Sequence, residues 1–278
     1  MTEIGEGNTG RTLELPGPNE ASITLAWAAV TDVGRRRQTN EDSYIASPPI
    51  FAVADGMGGH LAGDLASAAV VNRLSEGAGA ALGSMAGIEK ALADASSDIA
   101  IVAGDSDIGV GTTVTGAVLT EVDGKPFFAV FNIGDSRVYR FEGNELTQVT
   151  TDHSLVQELV DSGLLTRAQA YQHPEGNIIT RAVGFEHSPI PDYTLVPVRT
   201  GLRLLICSDG LTGELRDDRV RLHLSAALSP NQTANALVDA ALAAGGRDNV
   251  TVIVIEVVEG PDAADMDDTA PDARYGTR

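Results

Sequence analysis

Phe51-Ala-Val-Ala-Asp55-Gly-Met-Gly-Gly59 places an acid at the end of a short apolar run and in front of a glycine cluster. Phe51, Val53 and Ala54 read as a buried strand, and a helix should follow Gly59. The glycines let the backbone turn sharply and expose a carbonyl. An acid held rigidly there suits a metal ion. Glycine-rich strand-to-helix turns also cradle phosphates, so this stretch alone leaves both readings open.

Three more turns share the arrangement. Asp135 follows Phe131-Asn-Ile-Gly134, Asp209 follows Leu204-Leu-Ile-Cys-Ser208, and Asp248 precedes Asn249 and a strand from Val250. Carboxylates at adjacent strand ends converge, and they repel unless a cation neutralises them. Oxygen-only ligands favour Mg2+ or Mn2+ over zinc, and no His or Cys cluster has zinc spacing. Any one such acid reads as a turn former or helix cap; four together point to a cation.

Outward from these turns, Ile23 to Val33 and Tyr44 to Ala54 read as strands around a turn at Arg35 to Asp42. The helix after Gly59 carries Leu61, Leu65, Ala68 and Leu74. A second keeps the 3.6-residue period through Ile88, Leu92, Ala95, Ile99 and Val102. Strands follow at Thr112–Leu119, Phe127–Ile133 and Ser136–Phe141, with turns at Asp123-Gly124 and at Gly143-Asn144. Ser154 with Gln157 and Thr166 with Gln169 are capping-box patterns, which predict two short helices around Gly163. Beyond further strands at Tyr193–Val198 and Leu202–Cys207, Ser229-Pro230 opens a helix that Gly245-Gly246 closes. Val250 to Val258 is the last strand. Strands in runs, with helix pairs between them, predict an α+β sandwich of two mostly antiparallel sheets with helices on both outer faces, rather than a doubly wound parallel sheet.

A length of 278 residues and 43% hydrophobic content suit a buried core. The formal net charge of −20 disfavours nucleic acid and anionic membranes as partners. No apolar run reaches the roughly 18 residues that span a bilayer, and no signal peptide is evident. The one cysteine, Cys207, lies in an apolar strand and reads as an inert buried thiol. A cytoplasmic location is the expectation. Residues 1–21 read as a flexible extension, 22–259 as the folded domain, and 260–278 as a disordered acidic tail.

In order the chain carries Arg37-Gln-Thr-Asn-Glu-Asp42, Asp55-Gly-Met-Gly-Gly59, Gly111-Thr-Thr113, Gly134-Asp-Ser-Arg137, Asp152-His-Ser154, Ser208-Asp-Gly-Leu211 and Asp248-Asn-Val-Thr251. This series resembles the metal-dependent Ser/Thr protein phosphatase family (PPM, type 2C), in its compact bacterial form, over roughly Ile23 to Val258. The resemblance implies a binuclear Mn2+ or Mg2+ centre in a cleft at one end of the sandwich. Asp55 would bridge both ions, the Gly56 carbonyl would hold the second, and Asp209 and Asp248 would complete the first. Glu41 and Asp42 would act mainly through water, and Asp135 with Asp209 would hold a weaker third ion. Arg37 would clamp the substrate phosphate, a task its planar fork suits.

Water activated between the ions would then attack phosphorus directly, with no phosphoenzyme. Many eukaryotic relatives carry His at the position of Met57, so the leaving alkoxide would be protonated by water, with His60 a weaker candidate. Substrates would be phosphoserine and phosphothreonine proteins, a Ser/Thr kinase among them, met by a monomer. A flap at about 163–191 would carry substrate preference. Two alternatives share the fold: a phosphatase dedicated to an anti-sigma-factor pathway, and a catalytically silent interaction module. A nucleotide-binding turn is excluded, because neither Gly-x-x-x-x-Gly-Lys-Ser/Thr nor Gly-x-Gly-x-x-Gly is present.

Overall fold

Side chains alternate between two cores along the central strands, and that alternation sets the layers. In the computed structural model, which describes residues 1–16, 22–58, 62–104, 109–171, 173–185, 187 and 189–261, the chain begins with β1 (Glu3–Ile4), β2 (Asn8–Glu14), β3 (Ser22–Asp32), β4 (Asp42–Ser47) and β5 (Ile50–Met57). Helices α1 (Ala62–Ser75) and α2 (Met85–Ala103) follow, then β6 (Gly111–Thr112), β7 (Val114–Val122), β8 (Lys125–Ile133), β9 (Arg137–Glu142) and β10 (Glu145–Gln148). Two short helices, α3 (Leu155–Asp161) and α4 (Arg167–Ala170), precede β11 (Asp192–Pro197) and β12 (Arg203–Cys207). The described chain closes with α5 (Asp209–Thr212), α6 (Asp217–Leu224), α7 (Pro230–Ala244) and β13 (Val250–Glu259).

One sheet runs β1-β4-β5-β7-β8-β11, with β6 paired to β5, and the other runs β10-β9-β12-β13-β3-β2. All pairings are antiparallel except β1 with β4. Phe51, Val53, Phe128, Val130, Leu204, Ile206, Ile253 and Ile255 fill the core between the sheets. Ala52, Ala54, Ala129 and Phe131 face the other way, against α1 and α2. Leu205, Cys207, Val252 and Val254 pack on α5, α6 and α7. Each large side chain buried this way contributes roughly 1.5–3 kcal/mol. The expected sandwich with outer helices is therefore the fold. No helix of the described residues is long and apolar enough to cross a membrane.

Several expectations need correction. Residues 3–4 and 8–14 are not a flexible extension: β1 extends one sheet and β2 the other. β2 buries only Leu13, so pairing of its backbone with β3 holds it, and an edge strand of that kind shows no apolar period. Tyr44 to Ala54 is not one strand but the hairpin β4–β5, broken at Pro48-Pro49, where proline has no N–H for a ladder. Leu65, expected on the buried face of α1, is 49% exposed, while Ala66, Val70, Val71 and Leu74 are buried. On α2, Val102 is exposed and the other four periodic residues are buried. The capping boxes at Thr166 and Ser229 are complete, but the one expected at Ser154 is only half formed: Ser154 caps α3, and Gln157 turns to Asp161 instead. α5 and α6 were not foreseen; α6 buries only Val220 and Leu224, too little for a periodic signal. From residue 262 the expected acidic tail lies outside the described residues, as do Gly59, His60 and Leu61.

Candidate metal centre

Antiparallel pairing brings the acid-bearing turns to one end of the sandwich. Asp42 opens β4 and pairs directly with Asp55 near the end of β5. The start of β7 lies beside both the end of β5 and the end of β8, and Asp135 follows β8 by two residues. In the other sheet Cys207, the last residue of β12, pairs with Val252, so Asp209 at the start of α5 and Asp248 just before β13 share an end. The connections from β3 to β4 and from β8 to β9 cross between the sheets there.

Burial of these acids is severe. Asp42 is fully buried; its Oδ2 accepts Ser208 Oγ at 2.9 Å and Thr251 Oγ1 at 2.6 Å. Burial nonetheless pushes its carboxyl up to about 7, against those hydroxyls and with help from Asp209 and Asp248. Burial, then the charges of Asp42, Asp209, Asp135 and Asp248, raises Asp55 well above the ordinary carboxylate range. Asp135 is raised the same way, by burial and then by Asp209 and Asp152. Asp209 is raised by burial and then by Asp248. Asp42 Oδ1, Asp135 Oδ1 and Asp209 Oδ1 are buried with no hydrogen-bond donor.

Among the described residues no three His, Cys, Asp or Glu side chains form a ready-made ion cage. Asp42, Asp55, Asp135 and Asp209 share burial and mutual repulsion, and three of them, Asp42, Asp135 and Asp209, each keep one donor-free oxygen. A hard divalent cation answers all three at once, and the oxygen-only donor set fits Mg2+ or Mn2+.

Neighbouring groups fix the acids in place. Thr112 Oγ1 and the Thr113 N–H donate to the Asp55 carbonyl at 2.9 and 2.8 Å, and the Asp55 N–H donates to Thr113 Oγ1. Thr113 in turn bonds Ser136 at 3.0 Å. A Cβ on Gly56 would sit 2.0 Å from the Gly63 carbonyl oxygen, so only glycine lets β5 pass under the start of α1. The Glu41 carbonyl accepts Ser67 Oγ at 2.6 Å, and the Glu41 N–H donates to Asn249 Oδ1 at 2.8 Å. Arg37, half exposed on the β3–β4 connection, donates Nη2 to Asp248 Oδ2 at 2.7 Å. Partial burial works against its charge, but Asp248, Asp55 and Glu41 outweigh it and hold the guanidinium above its ordinary value.

Beyond the acids lies a cleft of about 690 Å3, lined by Asp135, Asp209 and Asp248 on one wall and by Val156, Arg167 and Tyr171 from α3, α4 and their continuation on the other. Arg137 forks onto Asp152 at 2.6–3.0 Å and also reaches Tyr139. Gly56, Glu41, Asp42 and Arg37 thus gather with Asp55, Asp135, Asp209 and Asp248 around one end.

Sequence reasoning missed what Ser208, Thr251 and Asn249 do. Asn249 also donates to the Val33 and Thr39 carbonyls, which pins the loop carrying Arg37. The available signal was a hydroxyl or amide beside each acid within the Ser208–Leu211 and Asp248–Thr251 motifs.

Residues 34–244 match the family model described as Protein phosphatase 2C. The chain is 39% identical over 246 residues to a Mycobacterium tuberculosis protein named serine/threonine protein phosphatase PstP, covering 86% of this chain and 46% of that one. It is 38% identical over 239 residues to the Listeria welshimeri serine/threonine phosphatase stp, covering 81% of this chain and 93% of that one. The chain thus spans about half the length of its mycobacterial relative and nearly all of the Listeria one. Among solved structures, the catalytic domain of PstP in complex with two manganese ions superposes with a TM-score of 0.76 at 38% identity, over 84% of this chain and 99% of that one.

Proposed function

The chain belongs to the protein phosphatase 2C family, and from that premise we propose that it is a Mn2+- or Mg2+-dependent phosphatase of phosphoserine and phosphothreonine proteins. The observation that carries this reading is the convergence of strand-end acids, with one buried donor-free oxygen on each of Asp42, Asp135 and Asp209 and an arginine at their rim. The manganese pair in the PstP catalytic domain supports the choice of ion.

In this reading Asp55, directly opposite Asp42, would be the principal residue holding the cations. The Gly56 carbonyl, Asp209 and Asp248 would hold them with it, and Glu41 and Asp42 would act through water. Asp135, with Asp209, would hold a third, weaker ion. Cations held there supply Lewis acidity: they acidify water and absorb charge on phosphoryl oxygens. Arg37 offers two parallel N–H donors to the phosphate, leaving Asp248 to the cation. Attack on phosphorus is by water without a phosphoenzyme. In support, the one thiol, Cys207, is fully buried, and burial pushes it up to about 12. Arg167, Tyr171, His173 and Asn177 of the flap at 163–191 line the cleft and would contact the protein flanking the phosphate, an autophosphorylated Ser/Thr kinase being one expected substrate.

Hydrolysis of p-nitrophenyl phosphate and of a phosphothreonine peptide with Mn2+, Mg2+ or EDTA tests this. Release of phosphate from both, lost in EDTA, is the expected result. A folded protein silent with every ion would make the fold an interaction module instead.

A further inference from the structure

His153 sits where three segments meet, and it is 8% exposed. Its backbone N–H donates to the Gly134 carbonyl at 2.9 Å, and its Nδ1 accepts the Gly134 N–H at 3.0 Å. Asn132 Nδ2 adds a donor to the same carbonyl at 3.0 Å. Gly134 has φ +114°, and a Cβ there would lie 2.6 Å from the Thr113 side chain. Both polar backbone groups of this constrained turn are therefore held by His153, and Asp135 is the next residue out of it.

Because Nδ1 accepts, the proton of the neutral ring is assigned to Nε2. That nitrogen faces Asp192 Oδ2 at 3.0 Å. Arg181 Nη1 donates to the other oxygen of Asp192 at 2.9 Å, and Arg181 Nη2 donates to the Ile190 carbonyl. Arg181 Nη1 also comes within 2.9 Å of His153 Nε2; with that tautomer both are donors, so they meet through the shared carboxylate. The His153 carbonyl accepts the Thr180 N–H at 2.9 Å. One imidazole thus joins the turn of Asp135 to a pair at the exit of the flap.

We propose that His153 is a positioning residue that couples the Arg181–Asp192 pair to Asp135, and so sets the affinity of the weakest-held cation. The proposal rests on the reading of Asp135 as a cation ligand. A displaced flap exit moves Asp192, Asp192 turns the imidazole, and the imidazole releases or tightens the Gly134 peptide. Substrate contact with the flap and occupancy of that cation site are then linked.

Calorimetric titration of the EDTA-treated full chain with Mn2+ tests it, because asparagine and glutamine each keep one half of the histidine's bonding. In His153→Asn the amide oxygen replaces Nδ1 and keeps Gly134. In His153→Gln the amide nitrogen replaces Nε2 and keeps Asp192. The wild type is expected to show tight binding followed by a weaker step that Asp135→Asn removes. His153→Gln should weaken that step tenfold or more and leave the tight sites within twofold. Arg181→Ala should weaken it severalfold in the wild type and leave it unchanged in His153→Asn.

A weak step within twofold of wild type in His153→Gln would overturn the proposal. So would an equal effect of Arg181→Ala in both backgrounds, or equal weakening of every step, the mark of a merely structural role. Should His153→Gln fail to fold by circular dichroism, the Arg181→Ala and His153→Asn pair decides alone. A wild type that binds no Mn2+ contradicts the metal reading itself. Asp135→Asn with an unchanged titration removes Asp135 from that reading, and this inference with it.

Discussion

Arg37 donates to Asp248 at 2.7 Å from a half-exposed side chain, so its fork can turn toward a phosphate without breaking the core. A charge-assisted hydrogen bond is worth about 1.5–3 kcal/mol, and lysine lacks the second parallel donor. Arg37→Lys should therefore lower kcat/KM for a phosphothreonine peptide by roughly 10- to 100-fold, with melting temperature little changed. Steady-state kinetics checks this, and an unchanged kcat/KM would remove Arg37 from phosphate binding. Cys207 gives a second prediction at this scale. Its thiol, pushed up to about 12 by burial, should resist iodoacetamide at pH 8 in the folded protein and react once urea exposes it. Rapid labelling of the native chain, read by mass spectrometry, would contradict the burial.

The strand-to-helix passage at Gly56 shows what a single element demands. A methyl there would lie 2.0 Å from the Gly63 oxygen and 2.8 Å from the Glu41 oxygen, both backbone, so α1 or β5 must move. Overpacking of this kind costs about 1–3 kcal/mol or more, and Gly56→Ala should lower the melting temperature by roughly 5–10 °C. A melting temperature within one degree of wild type would show that α1 gives way freely. The same closeness explains why the face of α1 was misread. A helix start this near the sheet has room for Ala66 and Ser67 underneath, and the larger Leu65 turns to solvent.

Periodicity reports which side chains are apolar, not how close two backbones come. It served α2, where Ile88, Leu92, Ala95 and Ile99 are all buried, while residue type alone marked the hairpin turns, where Asp123, Gly124, Gly143 and Asn144 all have positive φ. It was blind to β2, held by its backbone, and to α5 and α6, too short to show a period. At the acid cluster the carboxylates were legible because each stands at the end of an apolar run. Their supports at Ser208, Thr251 and Asn249 were not, since a hydroxyl or amide reveals its partner only when the strands are paired.

Across the whole molecule the acid cluster makes stability depend on pH and on cations together. Asp42 is raised to about 7 by burial, and Asp55, Asp135 and Asp209 are raised by burial and by one another. For a group raised in the folded state, stability is full below the unfolded pKa near 4 and is lost as pH climbs through the folded value. Asp42 alone would cost roughly 4 kcal/mol by pH 8. His223, partly buried and lowered by that burial and then by Arg219, works the opposite way, its contribution being lost as pH falls below the ordinary histidine value. A net charge of −20 adds repulsion in the same direction as the acids. The EDTA-treated protein should therefore melt at a lower temperature at pH 8 than at pH 5, and Mn2+ should raise the melting temperature more at pH 8. Scanning calorimetry at both pH values checks this; an equal Mn2+ effect at each would mean that these carboxyls do not hold the ion.

The most direct test is to add Mn2+ in steps to the EDTA-treated protein and to Asp55→Asn, following bound ion and phosphate release from a phosphothreonine peptide in the same samples. In the wild type, release should be absent without the ion and rise as at least two ions bind per chain. Asp55→Asn, folded by circular dichroism, should lose the tight sites and more than 99% of turnover. Turnover without any ion, or an Asp55→Asn protein that keeps over half the wild-type rate, would contradict a cation centre built on Asp55.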